Sequence, residues 1–357
     1  MTIRDDRALR VRTLAPWLLA FALAACAVKT TRRPPPPGGK AKMTLPPDLA
    51  VDTECGTASP IALSRCVDRM RIRADVERMA VPRPPGSAGH QQVRGHCRRR
   101  LSELGFDVKM HSYGTGDNVV GVKPGFSTPN ERVVVSAHYD HIAKCPGADD
   151  NASGVAAALE AARVLGTARF DRTLVVACWD EGEKGQLGST AYARDARRFG
   201  QEIVLAVAFE AVGYKSDRPD TQEVPEGFEK VFPDQALAML DNEYRGDFLT
   251  VVADRKSMTW AKLVVDHGGR FDLGVHILRV TDRIKAHQKH LHRSDHVSFW
   301  GQGVPAMLLT DTGPFRNPYI GCERGVDGPE MLSYEFAEQV TRAGVGAVAE
   351  ALEVRSR

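Results

Sequence analysis

The sequence predicts an α/β fold, a three-layer sandwich in which helices flank a central, twisted, mixed but mostly parallel β-sheet. Eight β-type runs occur between residues 106 and 311, and several are almost continuously apolar. Segments with the 3.6-residue periodicity of helices lie between most of these runs. Apolar strands that alternate with helices are typical of a sheet buried on both faces.

Helical spacing is found at 60–80, 90–104, 153–166, 187–197, 257–268 and 333–354. The β-type runs are 106–113, 118–124, 132–139, 173–180, 202–214, 247–254, 274–280 and 305–311. The segment 215–246 is rich in Pro, Asp and Glu, so we predict an insertion over the cleft and not a core element.

Residues 1–26 have the pattern of an export signal that ends in a lipidation site. Four arginines precede the apolar stretch "LAPWLLAFALAA", which is too short to span a bilayer. The stretch ends in "LAAC" at Cys26, which resembles a bacterial lipobox, and a lipidated cysteine would tether the protein to a membrane. The alternative is an ordinary secretory signal in which Cys26 is incidental. Ala27 favours the outer membrane, facing the periplasm.

A tether is predicted at 27–50, because "RRPPPPGG" is typical of extended, unpacked chain. The folded domain is predicted to occupy 51–357. Export to an oxidising compartment permits disulfides. Cys55 and Cys66 are plausible partners, whereas Cys178 lies in an apolar run and is predicted to be a buried free thiol.

The charge balance gives no reason to expect a nucleic-acid partner. The chain has 48 basic and 45 acidic residues, a net charge of +3. Its basic runs are short and are interpreted as solvated helix faces.

Metal-binding residue types follow three of the predicted strands. His138 and Asp140 end the first strand, Glu183 follows the second, and Glu210 lies in the third. In open α/β sheets, sites form at the carboxyl ends of strands. A lone carboxylate such as Glu210 in an apolar strand is costly unless it is paired or metal-bound. Histidine nitrogen and carboxylate oxygen are ligands of Zn²⁺.

Several motifs resemble the co-catalytic zinc aminopeptidase family, which includes bacterial secreted aminopeptidases and glutamate carboxypeptidases. The resemblance covers most of 75–350, and the motifs that carry it are "RPPGSAGHQQV", "SAHYDH", "GADDNASG", "ACWDEGEKGQLGS" and "HRSDHVSFWGQGVPAMLLTDTGPFRNP". The resemblance implies two zinc ions and a peptide substrate.

The resemblance also implies a role for individual residues. His138 and Glu210 become ligands of the first metal, Glu183 becomes a ligand of the second, and Asp150 bridges the two. Asp140 orients the imidazole of His138. The peptide bond after Asp150 is expected to be cis. His141 is predicted to be a solvent-exposed loop residue.

Two positions depart from the family pattern. Gly182 stands where the family has the glutamate that acts as general base, and Glu181 could substitute only if the loop were rebuilt. Gly321 stands where the family has a histidine ligand of the second metal. The neighbouring Cys322 is a candidate replacement, and the alternative is a disulfide, for example with Cys145.

Two functions are therefore expected from the sequence. The first is a membrane-tethered, zinc-dependent exopeptidase of aminopeptidase type, with Asp295 and His296 lining the substrate cleft or bracing the ligands. The alternative is a catalytically impaired relative that retains only one zinc ion and binds peptides or acts as a scaffold lipoprotein. If only two side chains are lacking, Gly182→Glu with Gly321→His should raise activity.

Overall fold

The computed structural model describes residues 59–281, 284 and 289–355. The predicted signal peptide, the tether, Cys26 and Cys55 lie outside these residues. Within them, no helix is both long enough and apolar enough to cross a membrane.

The strands are β1 (Asp107–Ser112), β2 (Asp117–Lys123), β3 (Thr128–His138), β4 (Arg172–Trp179), β5 (Glu202–Phe209), β6 (Phe248–Asp254), β7 (Gly274–Val280) and β8 (Ala306–Thr310). The helices are α1 (Pro60–Arg65), α2 (Arg69–Met79), α3 (Ala88–Glu103), α4 (Gly154–Leu165), α5 (Leu187–Arg198), α6 (Phe228–Val231), α7 (Pro233–Asp241), α8 (Met258–Gly269), α9 (His296–Trp300) and α10 (Tyr334–Leu352).

The strands form one mixed eight-stranded sheet in the order β1-β2-β4-β3-β5-β8-β6-β7. Its centre, β4-β3-β5-β8, is parallel. Strands β1, β2 and β6 pair antiparallel with their inner neighbours, and β7 runs parallel to β6. The predicted fold class is confirmed.

Helices cover both faces of this sheet because successive strand residues point to opposite sides. In β3, Val133 and Val135 belong to the larger core, which they share with α1–α4, α8 and α10. Val134 points the other way, towards α5 and α9. These central valines have no exposed surface. The predicted three-layer arrangement follows from this alternation.

The segment 215–246 contributes to the core, contrary to the sequence prediction. Phe228 on α6, Met239 on α7 and Phe232 between the two helices are at most 5% exposed and pack with residues of β6, β7 and β8. The apolar residues of this segment are few and lie among polar ones, so their helical periodicity was too short to predict this packing.

The prediction of a free thiol at Cys178 is wrong. Cys178 on β4 forms a disulfide with Cys97 on α3. The two cysteines are 81 residues apart, so their pairing depends on where α3 packs. Cys66 is also disulfide-bonded, and its predicted partner Cys55 lies outside the described residues.

Candidate metal centre

Three strand ends bring the predicted ligands to one edge of the sheet. His138 is the last residue of β3, Glu210 directly follows β5, and Glu183 follows β4. These strands are parallel neighbours, so their carboxyl ends share an edge.

The first cluster consists of His138, Asp150 and Glu210. One potential ligand atom from each residue lies within 4.8 Å of the other two. His138 Nε2 is 3.4 Å from Asp150 Oδ1. His138 is buried, and the two carboxylates are half-buried. An imidazole and two carboxylates at this spacing are a suitable donor set for zinc.

The second cluster consists of His141, Asp150 and Glu183, whose potential ligand atoms also lie within 4.8 Å of one another. His141 Nδ1 is 2.7 Å from Glu183 Oε1. The prediction that His141 is a solvent-exposed loop residue is wrong, since it is 1% exposed. Asp150 is common to both clusters.

Asp140 fixes the orientation of the residues around it. The carbonyl oxygen of Asp140 accepts a hydrogen bond from His138 Nδ1 at 3.2 Å. When the imidazole is neutral, its one proton is therefore on Nδ1, and Nε2 faces Asp150 unprotonated. The Asp140 carboxylate accepts the backbone N–H groups of Gly182, at 2.7 Å, and Glu183, at 3.2 Å. One aspartate thus positions residues of both clusters.

The turn that carries Asp150 is bonded to the residues that follow Glu210. The side chains of Asn151, Ser153 and Asp149 accept the backbone N–H groups of residues 211, 212 and 213, at 3.2, 3.0 and 2.9 Å. Strand β5 therefore ends at 209, earlier than predicted. The Asp150–Asn151 peptide is cis, as the resemblance implies.

The pKa values of the two carboxylates in the first cluster are shifted in opposite directions. Desolvation opposes ionisation of Asp150, but contacts with His138 and the charges of both histidines hold its pKa at about 2. Desolvation raises the pKa of Glu210 to about 8, against the attraction of His138. Without a cation, Glu210 is therefore hard to ionise beside Asp150, and a bound cation would favour its ionised form.

Glu181 does not reach either cluster. It is 2% exposed, and its carboxylate bonds Tyr113, Thr115 and Lys184, with Lys184 Nζ at 2.9 Å. Its φ of 53° lies in the left-handed region. The loop therefore does not bring Glu181 to the position of the base that is missing at Gly182. The prediction that Glu181 could substitute as the base is wrong, and Glu181 is a buried structural residue.

Cys322 is not available as a thiolate ligand, because it forms a disulfide with Cys145. A sulfur bonded to sulfur cannot provide the thiolate that zinc requires. The alternative considered from the sequence, pairing with Cys145, is the one observed. Gly321 has a φ of 77°.

Asp295 and His296 are buried and do not line either of the two cavities at the clusters. Burial raises the pKa of Asp295 to about 6, with the charge of His138 acting in the opposite direction. Burial lowers the pKa of His296 to about 3. His296 Nε2 bonds the carbonyl oxygen of Leu291 at 3.1 Å, and its ring packs against Trp300. His296 is therefore a bracing residue.

Two adjoining cavities meet the clusters. The smaller, of about 210 Å³, is lined by His138, Asp150, Gly182, Glu183, Gly185, Gln186, Glu210 and Arg293. The larger, of about 310 Å³, shares Asp150, Glu183, Glu210 and Arg293 with it. Its apolar wall includes Val224, Phe228, Phe232, Met239, Val252, Leu278 and Leu308.

Sequence reasoning missed Arg83, the first residue of "RPPGSAGHQQV". Its guanidinium has no exposed surface and donates to the carbonyl oxygens of Tyr139, at 2.8 Å, Gly147, at 2.9 Å, and Asp150, at 3.3 Å. It also bonds the carbonyls of Met79, Val81 and Pro146. Arg83 thus holds both ends of the loop that connects His138 to Asp150.

Comparison with known sequences supports the identity of this site. Residues 118–249 match the sequence profile of Peptidase family M28. The uncharacterized protein YfbL of Escherichia coli is 30% identical over 224 residues, which are 58% of this chain and 63% of YfbL. A probable zinc metalloprotease of Pyricularia oryzae is 25% identical over 276 residues, 71% of this chain and 52% of that protein. The chain thus spans less than two thirds of the length of these relatives.

The fold is similar to that of solved structures. The Legionella pneumophila LapA aminopeptidase superposes with a TM-score of 0.62 at 19% identity, covering 83% of this chain and 75% of LapA. An identity this low supports the fold and leaves the chemistry to the site itself.

Proposed function

Since residues 118–249 have the sequence of Peptidase family M28, we propose that this chain is a zinc-dependent exopeptidase of aminopeptidase type. The observation that carries the proposal is the convergence of His138, Asp150 and Glu210 within 4.8 Å beside an apolar cavity. The probable zinc metalloprotease of Pyricularia oryzae named above agrees with this class of reaction.

The residues fit zinc on the evidence of their unpaired atoms. Asp150 Oδ1 is buried without a hydrogen-bond partner, although it lies within 3.4 Å of His138 Nε2. Buried polar atoms are normally paired, so a buried carboxylate oxygen without a hydrogen-bond partner beside an imidazole is expected where a cation binds. Zinc held by His138, Asp150 and Glu210 would polarise the scissile carbonyl and lower the pKa of water.

The other residues orient the substrate and the ligands. Asp140 fixes the imidazole of His138 through its carbonyl oxygen. Asp150, Glu183 and Glu210 lie where the two cavities meet, so a zinc ion held by them would stand beside the apolar wall that receives the substrate. The apolar cavity of about 310 Å³ accommodates a bulky apolar side chain. We therefore propose peptides with a large apolar N-terminal residue as substrates.

The missing base limits the rate. Gly182 has no side chain, and Glu181 points towards Thr115 and Lys184. General-base help is typically worth about 10²–10⁴ in rate. The chain is therefore proposed to be a slow peptidase, and the alternative of a non-catalytic peptide-binding protein is favoured by the same observation at Gly182.

Reporter hydrolysis distinguishes these two functions. The purified chain with zinc is assayed on leucyl, phenylalanyl, alanyl and N-acetyl-leucyl reporters, and His138→Ala is the inactive control. We expect zinc-dependent release from the leucyl and phenylalanyl reporters and none from the acetylated one. Binding of leucyl peptides without turnover would support the non-catalytic function. If the chain neither binds nor hydrolyses these peptides, both proposed functions are contradicted.

We also propose that Cys26 anchors the protein to the outer membrane, facing the periplasm. The support is the "LAAC" pattern after the apolar stretch and the Pro-rich tether that follows. Wild-type protein is expected in the membrane fraction, and Cys26→Ala is expected to become soluble. Soluble wild-type protein would contradict the anchor.

A further inference from the structure

The second cluster contains a histidine where the family pattern provides none. His141 Nδ1 lies 2.7 Å from Glu183 Oε1, and the cluster is completed by Asp150. The other ring nitrogen of His141, Nε2, is buried and has no hydrogen-bond partner. A salt bridge with Glu183 alone would leave that nitrogen unpaired, although buried polar atoms are normally paired.

The loop is shaped to hold this imidazole. Gly147 has a φ of 58°, and a Cβ at this position would lie 2.4 Å from Cδ2 of His141. The backbone N–H of His141 donates to the carbonyl oxygen of Arg83 at 3.2 Å. Glycine is thus required at 147 both for its backbone conformation and for the space that the ring occupies.

The disulfide secures the same loop from the other side. Cys145 lies between His141 and Asp150 and is bonded to Cys322. Asp327, close after Cys322, accepts the backbone N–H groups of Asp149 and Asp150 at 3.1 and 3.2 Å. The segment that lacks the family histidine at Gly321 therefore supports the loop and supplies no ligand.

We propose that His141 replaces the missing histidine and forms, with Asp150 and Glu183, a second zinc site bridged to the first by Asp150. The inference rests on the proposed metallopeptidase site. Three protein ligands leave one position of a tetrahedral zinc open. A carboxylate shared by two clusters is what a metal pair about 3.5–4 Å apart requires.

Zinc content tests this proposal directly. The full chain, His141→Ala and Glu183→Gln are equilibrated with buffered zinc, and bound zinc per chain is measured together with near-ultraviolet circular dichroism. His111→Ala is the matched control, because His111 also bonds a carboxylate, Asp195 at 3.1 Å, outside both clusters. We expect two zinc ions in the wild type and the control, and one in each ligand variant.

Two results would overturn the proposal. One is a wild type that binds fewer than two zinc ions at saturation. The other is that His141→Ala still binds two zinc ions with unchanged affinity. If His141→Ala does not fold, the same result in Glu183→Gln would overturn the proposal. The zinc count needs no substrate. A chain that holds two zinc ions and hydrolyses no reporter would therefore retain this inference and contradict the peptidase.

Discussion

A Cβ atom at Gly182 would lie 2.4 Å from Cγ of His138. Real Cβ contacts do not occur at this distance, so the imidazole of His138 occupies the space that any side chain at 182 needs. The glutamate that the family has at position 182 therefore cannot fit here while His138 stays where it is.

This contact reverses the expectation that Gly182→Glu restores the base. We predict that Gly182→Glu displaces His138 and lowers zinc affinity at the first cluster by about 10–100-fold, as loss of ligand orientation typically does. Adding Gly321→His would not compensate, since φ at 321 is 77° and a side chain there is strained. Zinc titration of the variants checks this. Normal zinc affinity with faster turnover would contradict it.

Glu181 is predicted to affect stability but not catalysis. Glu181→Gln weakens the bonds to Tyr113, Thr115 and Lys184, so the free energy of unfolding should fall by about 1 kcal/mol. The rate of leucyl-reporter hydrolysis at saturation should change less than about twofold. A loss of about 10² or more would instead identify Glu181 as the base.

Arg83 is predicted to be essential for the metal loop. Arg83→Met leaves the buried carbonyl oxygens of Tyr139, Gly147 and Asp150 without their donor, at a cost of about 1–3 kcal/mol each. Urea unfolding in a metal chelator should show a loss of at least about 3 kcal/mol. The exposed Arg98→Met is the control and should change stability by less than about 0.5 kcal/mol. Equal effects would contradict the role of Arg83.

The apolar cavity is predicted to select the N-terminal side chain. Val224 is half-buried and lines the cavity, so Val224→Trp should fill part of it. We expect KM for phenylalanyl and leucyl reporters to rise about 10-fold or more, with little change for the alanyl reporter, because only large side chains need that volume. A uniform change in all three would contradict this assignment.

His296 is predicted to make the metal-free protein sensitive to acid. Burial lowers its pKa to about 3, whereas an unfolded histidine titrates near its ordinary value of 6.5. Below pH 6.5 the unfolded state therefore binds the additional proton, and stability falls as the pH decreases towards 3. The slope from this group is about 1.4 kcal/mol per pH unit. Buried carboxyl groups with a raised pKa, such as Glu210 and Asp295, contribute a slope of the opposite sign. The measurement therefore compares wild type with His296→Gln in a chelator: the variant should lack the contribution of His296, and an identical slope would contradict the prediction.

The sequence was sufficient for the sheet and for the first cluster. Apolar runs such as 132–139 are long enough to identify strands, and strand ends converge in a parallel sheet whatever the loops do. His138 and Glu210 therefore meet as the strand ends predict, and Asp150 joins them as the resemblance implies.

The second cluster could not be predicted in the same way. His141 lies in a loop, and its burial depends on Arg83, more than 50 residues earlier, and on the Cys145–Cys322 disulfide, which joins cysteines 177 residues apart. The one local signal was the close spacing of His138 and His141 in "HYDH". Gly182 shows the same limit, because its contact with His138 requires the packing of β3 beside β4.

Anomalous diffraction at the zinc edge from crystals of the zinc-equilibrated chain tests the central claim most directly. The account predicts two peaks about 3.5–4 Å apart, one bonded to His138 and Glu210, the other to His141 and Glu183, with Asp150 between them. Zinc bound elsewhere, or no peak within bonding distance of Asp150, would contradict it.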